Sequence, residues 1–230
     1  MTSEQRTAST DEPQTQGEKM LAAYLDERSV PYRYESFGAG ANPDFRADHP
    51  AAGEVVLEVY EPDYRLPRNP DGSYRSGAVA PPGRVVRRGL TSRRKARQAA
   101  VARDLGIPFV LVIASTNAEL AIDEHDIPGA LFGSPEFQWS DAGADPDEPG
   151  QLAFGSGGRL QAHLNTRFSA VALVTRGAAH APAGNGQVCR LQIFHNPFAA
   201  IPLKREFAGP YDDQWAAVDS GRKYQQIGPN

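Results

Sequence analysis

The sequence predicts an α/β protein in which a central mixed sheet carries helices on both faces. Two observations predict it. Hydrophobic periodicity runs in the order helix, strand, strand, strand, helix, strand across residues 15 to 115. Within that order the run Phe109-Val110-Leu111-Val112-Ile113 is apolar at every position, the pattern of a strand buried on both sides. The chain has 230 residues, 40% of them hydrophobic and 23% charged, which is ample for one core and ordinary for a soluble domain.

Each element has its own signal. Residues 1 to 14 are rich in Ser, Thr, Glu and Gln and are expected to form a disordered tail. Glu18 to Arg28 reads as the first helix, with Leu21, Ala22, Tyr24 and Leu25 as its apolar stripe. Thr15 and Glu18 have the spacing of a capping box, which fixes its start. A strand over Tyr32 to Phe37 follows Pro31 and ends at Gly38-Ala39-Gly40. A second short strand forms around Phe45, His49-Pro50 to Gly53 turn the chain, and Glu54 to Glu61 make the third strand. Residues 62 to 83 hold Pro62, Pro67, Pro70, Asp71-Gly72, Pro81 and Pro82 and read as a long loop or insertion. Thr91 or Ser92 caps a helix that runs to about Leu105, stopped by Gly106 and Pro108.

Beyond the strand Phe109 to Ile113 the pattern weakens. Asp126 to Phe132 reads as a short helix and 142–150 as an acidic loop. Phe168 to Thr175 and Val188 to Phe194 read as strands, separated by a Gly/Ala/Pro turn at 177–186. The chain thus divides into one domain over 15–215 and a loose polar tail over 216–230. The domain comprises a core over 15–115 and a C-terminal extension of the sheet over 116–215.

The chemistry is concentrated in Asn42-Pro43-Asp44-Phe45 and in Glu58, which interrupts the apolar run Val55-Val56-Leu57-Glu58-Val59-Tyr60. Side chains alternate along a strand, so Val56, Glu58 and Tyr60 share one face and Val55, Leu57 and Val59 the other. A carboxylate on a central strand is costly to bury unless a metal or a basic partner relieves it. Hydrolysis of a phosphodiester creates that need. Water must be activated and charge growing on the phosphate neutralised; hard cations do both, and they require carboxylate oxygens.

In order and placement these residues resemble the PD-(D/E)xK pattern of restriction-endonuclease-like nucleases. The resemblance covers residues 15 to 115 and implies a restriction-endonuclease-like αβα sandwich with Mg²⁺ or Mn²⁺ held by Asp44 and Glu58. The pattern places a Lys two residues after the second carboxylate, where this chain has Tyr60. Lys95 on the following helix is the preferred stand-in. Arg93, Arg94 or Arg97 could stabilise charge there without serving as a base. With no substitute, the site would bind metal weakly or not at all. Gln98 matches the Gln that many such nucleases carry on this helix, and it lies three residues from Lys95 on one helical face. Glu18 stands where many relatives place an acidic residue on the first helix, although the capping box accounts for it fully.

Arg84, Arg87, Arg88, Arg93, Arg94, Lys95 and Arg97 form a concentrated positive stretch in a chain whose net charge is -4. Such a field attracts a phosphate backbone without reading sequence, though basic runs are also common on solvated helix faces. Elsewhere the chemistry is thin. The single cysteine, Cys189, excludes an internal disulfide and a Cys-based zinc site and reads as buried. Gly155-Ser156-Gly157-Gly158 reads as a turn. Ser169 lies in no nucleophile elbow, and the scattered histidines include no metal-binding pair; His195 reads as structural. No run approaches ~18 apolar residues and none resembles a signal peptide, so a cytoplasmic protein without membrane contact is expected. The functional expectation is a metal-dependent nuclease acting on DNA or RNA, with a homodimer left open. The alternative is a catalytically inactive nuclease-like fold that binds nucleic acid or protein.

Overall fold

A computed structural model describes residues 12–34, 42–63, 68–73, 75, 82–116, 122, 126–138, 151–177, 188–218 and 223–227. Helix α1 (Gln16–Glu27) begins with a complete capping box: Glu18 N–H donates to Thr15 Oγ1, and Thr15 N–H donates back to Glu18 Oε2. Strands β1 (Tyr32–Tyr34), β2 (Phe45–His49) and β3 (Gly53–Tyr60) follow as an antiparallel meander. Residues 35–37 of the expected first strand lie outside the described residues, as do half of the 62–83 insertion and the loops at 142–150 and 178–186.

Helix α2 (Pro82–Thr91) is an element that sequence reading left inside and beyond the insertion. Pro82 suits a helix start because its fixed φ is already helical and its missing N–H would be unpaired there. Val85, Val86 and Leu90 are buried while Arg84 and Arg88 face out. Helix α3 (Arg93–Asp104) starts at Ser92, whose side chain makes no capping bond, and ends where Gly106 adopts φ +73°. Strand β4 (Phe109–Ala114) is buried at every position, as its apolar run predicts.

Helix α4 (Asp126–Phe132) leads into β5 (Gly133–Gln138), which pairs antiparallel with β6 (Gln151–Gly157). The expected turn at Gly155-Ser156-Gly157 is therefore corrected to strand, because β5 pairs along β6 as far as Gly133 with Gly157 and so overrides its glycines. Strands β7 (Ala170–Gly177) and β8 (Val188–His195) form the expected antiparallel pair. The expected loose tail is corrected too. Strand β9 (Asp213–Val218) pairs parallel with β8, and β10 (Lys223–Ile227) pairs antiparallel with β9. Gln225 and Gln226 of β10 are exposed, and a strand with a solvated face carries little apolar patterning, so composition hides it.

All ten strands among the described residues join one mixed sheet, ordered β1-β2-β3-β4-β7-β8-β9-β10-β6-β5. Strands β3, β4 and β7 run parallel to one another at its centre. One face buries α1 against Val55, Leu57, Val59, Val110, Val112 and Ala114. The other buries α2, α3 and α4 against Val56, Leu111, Ile113, Val171 and Leu173. Tyr24 of α1 and Arg28, which caps its C-terminal end, fasten the C-terminal region through the buried Asp212. Its carboxylate accepts from Tyr24 Oη at 2.5 Å, Arg28 Nη2 at 3.1 Å and the backbone N–H of Leu191 and Gly209.

Gly17 sets how closely α1 approaches the sheet. A Cβ there would stand 2.6 Å from Ala114 Cβ and 3.0 Å from Val59 Cγ1. Gly17→Ala is accordingly expected to destabilise by about 1–3 kcal/mol through overpacking, read as a lower denaturation midpoint. An unchanged midpoint would mean that α1 is free to ride outward.

Candidate active site

Three elements converge at Glu58. The register of β2 with β3 pairs Phe45 with Leu57, so Asp44, one residue before Phe45, lies across from Glu58 on the α2–α3 face. Helix α3 lies over that face and lowers Lys95 and Gln98 onto it, three residues apart. Asp44, Glu58, Lys95 and Gln98 are all buried, Glu58 at 2% exposure and Gln98 at 0%.

The contacts are specific. Lys95 Nζ donates to Glu58 Oε1 at 2.6 Å and to the Val59 carbonyl at 3.0 Å. Gln98 Nε2 donates to Glu58 Oε2 at 2.9 Å and to the Asn42 carbonyl at 2.7 Å. Because both partners of this amide nitrogen are acceptors, its orientation is dictated and Oε1 is the atom left over. Asp44 Oδ2 accepts from Val59 N–H at 2.7 Å. Burial chiefly, then the nearby Glu58, raises the Asp44 pKa to about 7; the Val59 N–H and Lys95 pull the other way.

Glu18 stands on the rim of this cluster, close enough for its charge to act on Asp44. Besides its capping bonds, its Oε2 accepts from Tyr34 Oη at 2.7 Å. The Tyr34 ring is held in place edge-on to Phe45, 5.2 Å between centroids. Tyr60 occupies the same strand face as Glu58, with Lys95 Nζ 5.4 Å from its ring centroid. Desolvation raises its pKa, against the charge of Arg88.

The donor set suits a hard cation in kind. Asp44 and Glu58 offer carboxylate oxygens, while the buried Gln98 Oε1 and Asn42 Oδ1 have no hydrogen-bond partner among the described residues. A Mg²⁺ site asks for one or two carboxylates and keeps several waters, so two carboxylates suffice. No group of three or more His, Cys, Asp or Glu side chains that could hold a metal ion occurs among the described residues.

The basic stretch divides between the two helices. Arg84, Arg88, Arg93, Arg94 and Arg97 are exposed and make no ion pair among the described residues. Arg87 differs: it is half-buried and its Nη2 donates to the Gly129 carbonyl at 3.2 Å, bracing α2 against α4. Other residues considered from sequence have structural partners. Ser169 Oγ donates to the Ile201 carbonyl, His195 Nε2 meets Gln214 Oε1 at 2.9 Å, and Cys189 is buried.

Two contributors escaped sequence reading. Asn42 supplies the carbonyl that holds Gln98, and its only signal was adjacency to Pro43-Asp44. Tyr34 holds Glu18 by a hydrogen bond from sixteen residues away, with no local signal at all. Comparisons with models of protein families, with curated proteins and with solved structures found no match. No helix among the described residues is long and apolar enough to cross a membrane.

Proposed function

We propose that the protein is a metal-dependent nuclease of the PD-(D/E)xK type, built on a restriction-endonuclease-like αβα sandwich. One observation carries the reading: Lys95 reaches Glu58 Oε1 from α3, beside Asp44, and so brings an ammonium to the carboxylates although Tyr60 stands at the motif position. The order α1, β1, β2, β3, then α3 and β4, with β3 and β4 parallel, supports the scaffold.

The balance of groups adds support. Glu18, Asp44 and Glu58 are buried around a single buried lysine, and Glu18 makes no ion pair among the described residues. A surplus of acids in a low-dielectric site is costly unless a cation joins them. Asp44 and Glu58 would hold Mg²⁺ or Mn²⁺, which when bound supplies Lewis acidity and a more acidic water. Lys95 fixes one oxygen of Glu58 and Gln98 the other, so the carboxylate is held in a single orientation. The exposed arginines of α2 and α3 would track the phosphate backbone of DNA or RNA.

Engagement of both Glu58 oxygens favours a second reading, a nuclease-like fold that only binds. One experiment separates them. Labelled single- and double-stranded DNA and RNA are incubated with Mg²⁺ or Mn²⁺ and wild-type protein, Asp44→Ala or Glu58→Ala. Metal-dependent cleavage that falls to background in both variants is expected. No cleavage by the wild type, with binding retained, would transfer the assignment to the binding module.

A further inference from the structure

We propose that Tyr60 and Arg88 form a seat for a phosphate oxyanion at the mouth of the carboxylate cluster. It rests on the nuclease reading only for the source of that phosphate. The starting observation is a phenol without a partner. Tyr60 Oη makes no hydrogen bond among the described residues, and the half-buried side chain is not sealed from solvent. It shares the strand face of Glu58, two residues on.

The close approach of α2 makes this position a site. A Cβ at Gly89 would stand 2.7 Å from Tyr60 Cδ1 and 3.0 Å from Cε1, so only a glycine lets the helix lie against the ring. The adjacent residue is Arg88, whose guanidinium is exposed, makes no ion pair among the described residues and is near enough to act on the phenol. A phenol hydroxyl, with an exposed guanidinium next to the glycine that lies on its ring, makes a set of hydrogen-bond donors. That set matches the oxygens of a phosphate, which guanidinium groups bind through paired N–H donors.

Lys95 is already committed to Glu58 and the Val59 carbonyl, so it cannot turn toward substrate without breaking that pair. The two tasks usually given to one lysine are thereby divided. Lys95 balances the carboxylates from above, and the residue at the motif position offers a neutral donor to the substrate.

Both a nucleic-acid backbone and free phosphate carry this chemistry, so the test has two arms. The first measures anisotropy of a fluorescent oligonucleotide in EDTA, across a range of salt, with wild type, Tyr60→Phe and Arg88→Gln. The second titrates inorganic phosphate into the same proteins by calorimetry. Phe keeps the ring over Gly89 and near Lys95, so unchanged circular dichroism and denaturation are expected for that variant. Tyr60→Phe is expected to weaken oligonucleotide binding roughly ten- to a hundredfold, the range for a hydrogen bond to a charged group. Arg88→Gln should weaken it comparably and lower the salt slope by about one. Weakening confined to inorganic phosphate would keep the seat and assign it to free phosphate. Unchanged affinity of both variants for both probes, or no binding of either probe by the wild type, overturns the seat. A wild type that binds the oligonucleotide with this dependence and never cuts it overturns the nuclease reading alone.

Discussion

Lys95→Met is expected to destabilise the protein by about 3–5 kcal/mol, the cost of leaving one member of a buried ion pair without the other. Glu58 would keep only the Gln98 amide at Oε2, at 2% exposure and next to Asp44. The double variant Lys95→Met, Glu58→Gln removes both charges and should regain much of that loss. A double-mutant cycle should then give a coupling of roughly 2–3 kcal/mol, at the upper end for residues in contact. Denaturant titration of the four proteins measures it. Stability unchanged in Lys95→Met would mean that the pair is not formed in solution.

The same variant separates catalysis from architecture. If Lys95 serves the reaction, Lys95→Met should lose cleavage, and adding Tyr60→Lys should recover part of it. Position 60 shares the face of Glu58, and its ring centroid lies 5.4 Å from the Lys95 ammonium. A lysine there has a short path to the same carboxylates. Recovery of stability without any recovery of cleavage would make Lys95 a structural counter-ion.

Much of this site was legible because its grammar is local. Alternation along β3 places Glu58 and Tyr60 on one face, and a helical spacing of three places Lys95 and Gln98 on another. The cap of α1 is written in Thr15 and Glu18, which need nothing beyond themselves. What stayed hidden depends on distant partners. Helix α2 is short, opens with Pro-Gly and carries Gly89, so its punctuation reads as loop. Its glycine makes sense only once the Tyr60 ring is seen lying on it. Strands β6, β9 and β10 are made by their neighbours; Gly155 and Gly157 have no strand preference of their own. The Gln98 bond to the Asn42 carbonyl spans two elements and leaves no trace in either. Local chemistry named the candidates, and only packing could bring them together.

Asp44→Asn is expected to make the protein more stable at pH 8 while removing the proposed cleavage activity. Asp44 is 6% exposed, and burial together with Glu58 raises its pKa to about 7. An unfolded aspartate titrates near 3.9. The folded state therefore holds the proton more tightly than the unfolded state. Stability from this group is complete below about pH 3.9 and is lost as pH rises through about 7, because the native state binds the extra proton across that window. At roughly 1.36 kcal/mol per pH unit the loss reaches about 4 kcal/mol at most. Asn removes the charge and can still accept from Val59 N–H, so its stability should not fall across that window. Denaturant midpoints in EDTA from pH 5 to pH 8 should therefore show Asn and wild type converging in acid and diverging in base. Added Mg²⁺ or Mn²⁺ should raise the wild-type midpoint at pH 8 and leave Asp44→Asn unmoved, since binding to the native state alone stabilises it. An Asn variant weaker than wild type at every pH would identify Asp44 as a structural acceptor for Val59. Gain of stability joined to loss of cleavage is the signature of a group kept under electrostatic stress for the sake of its chemistry.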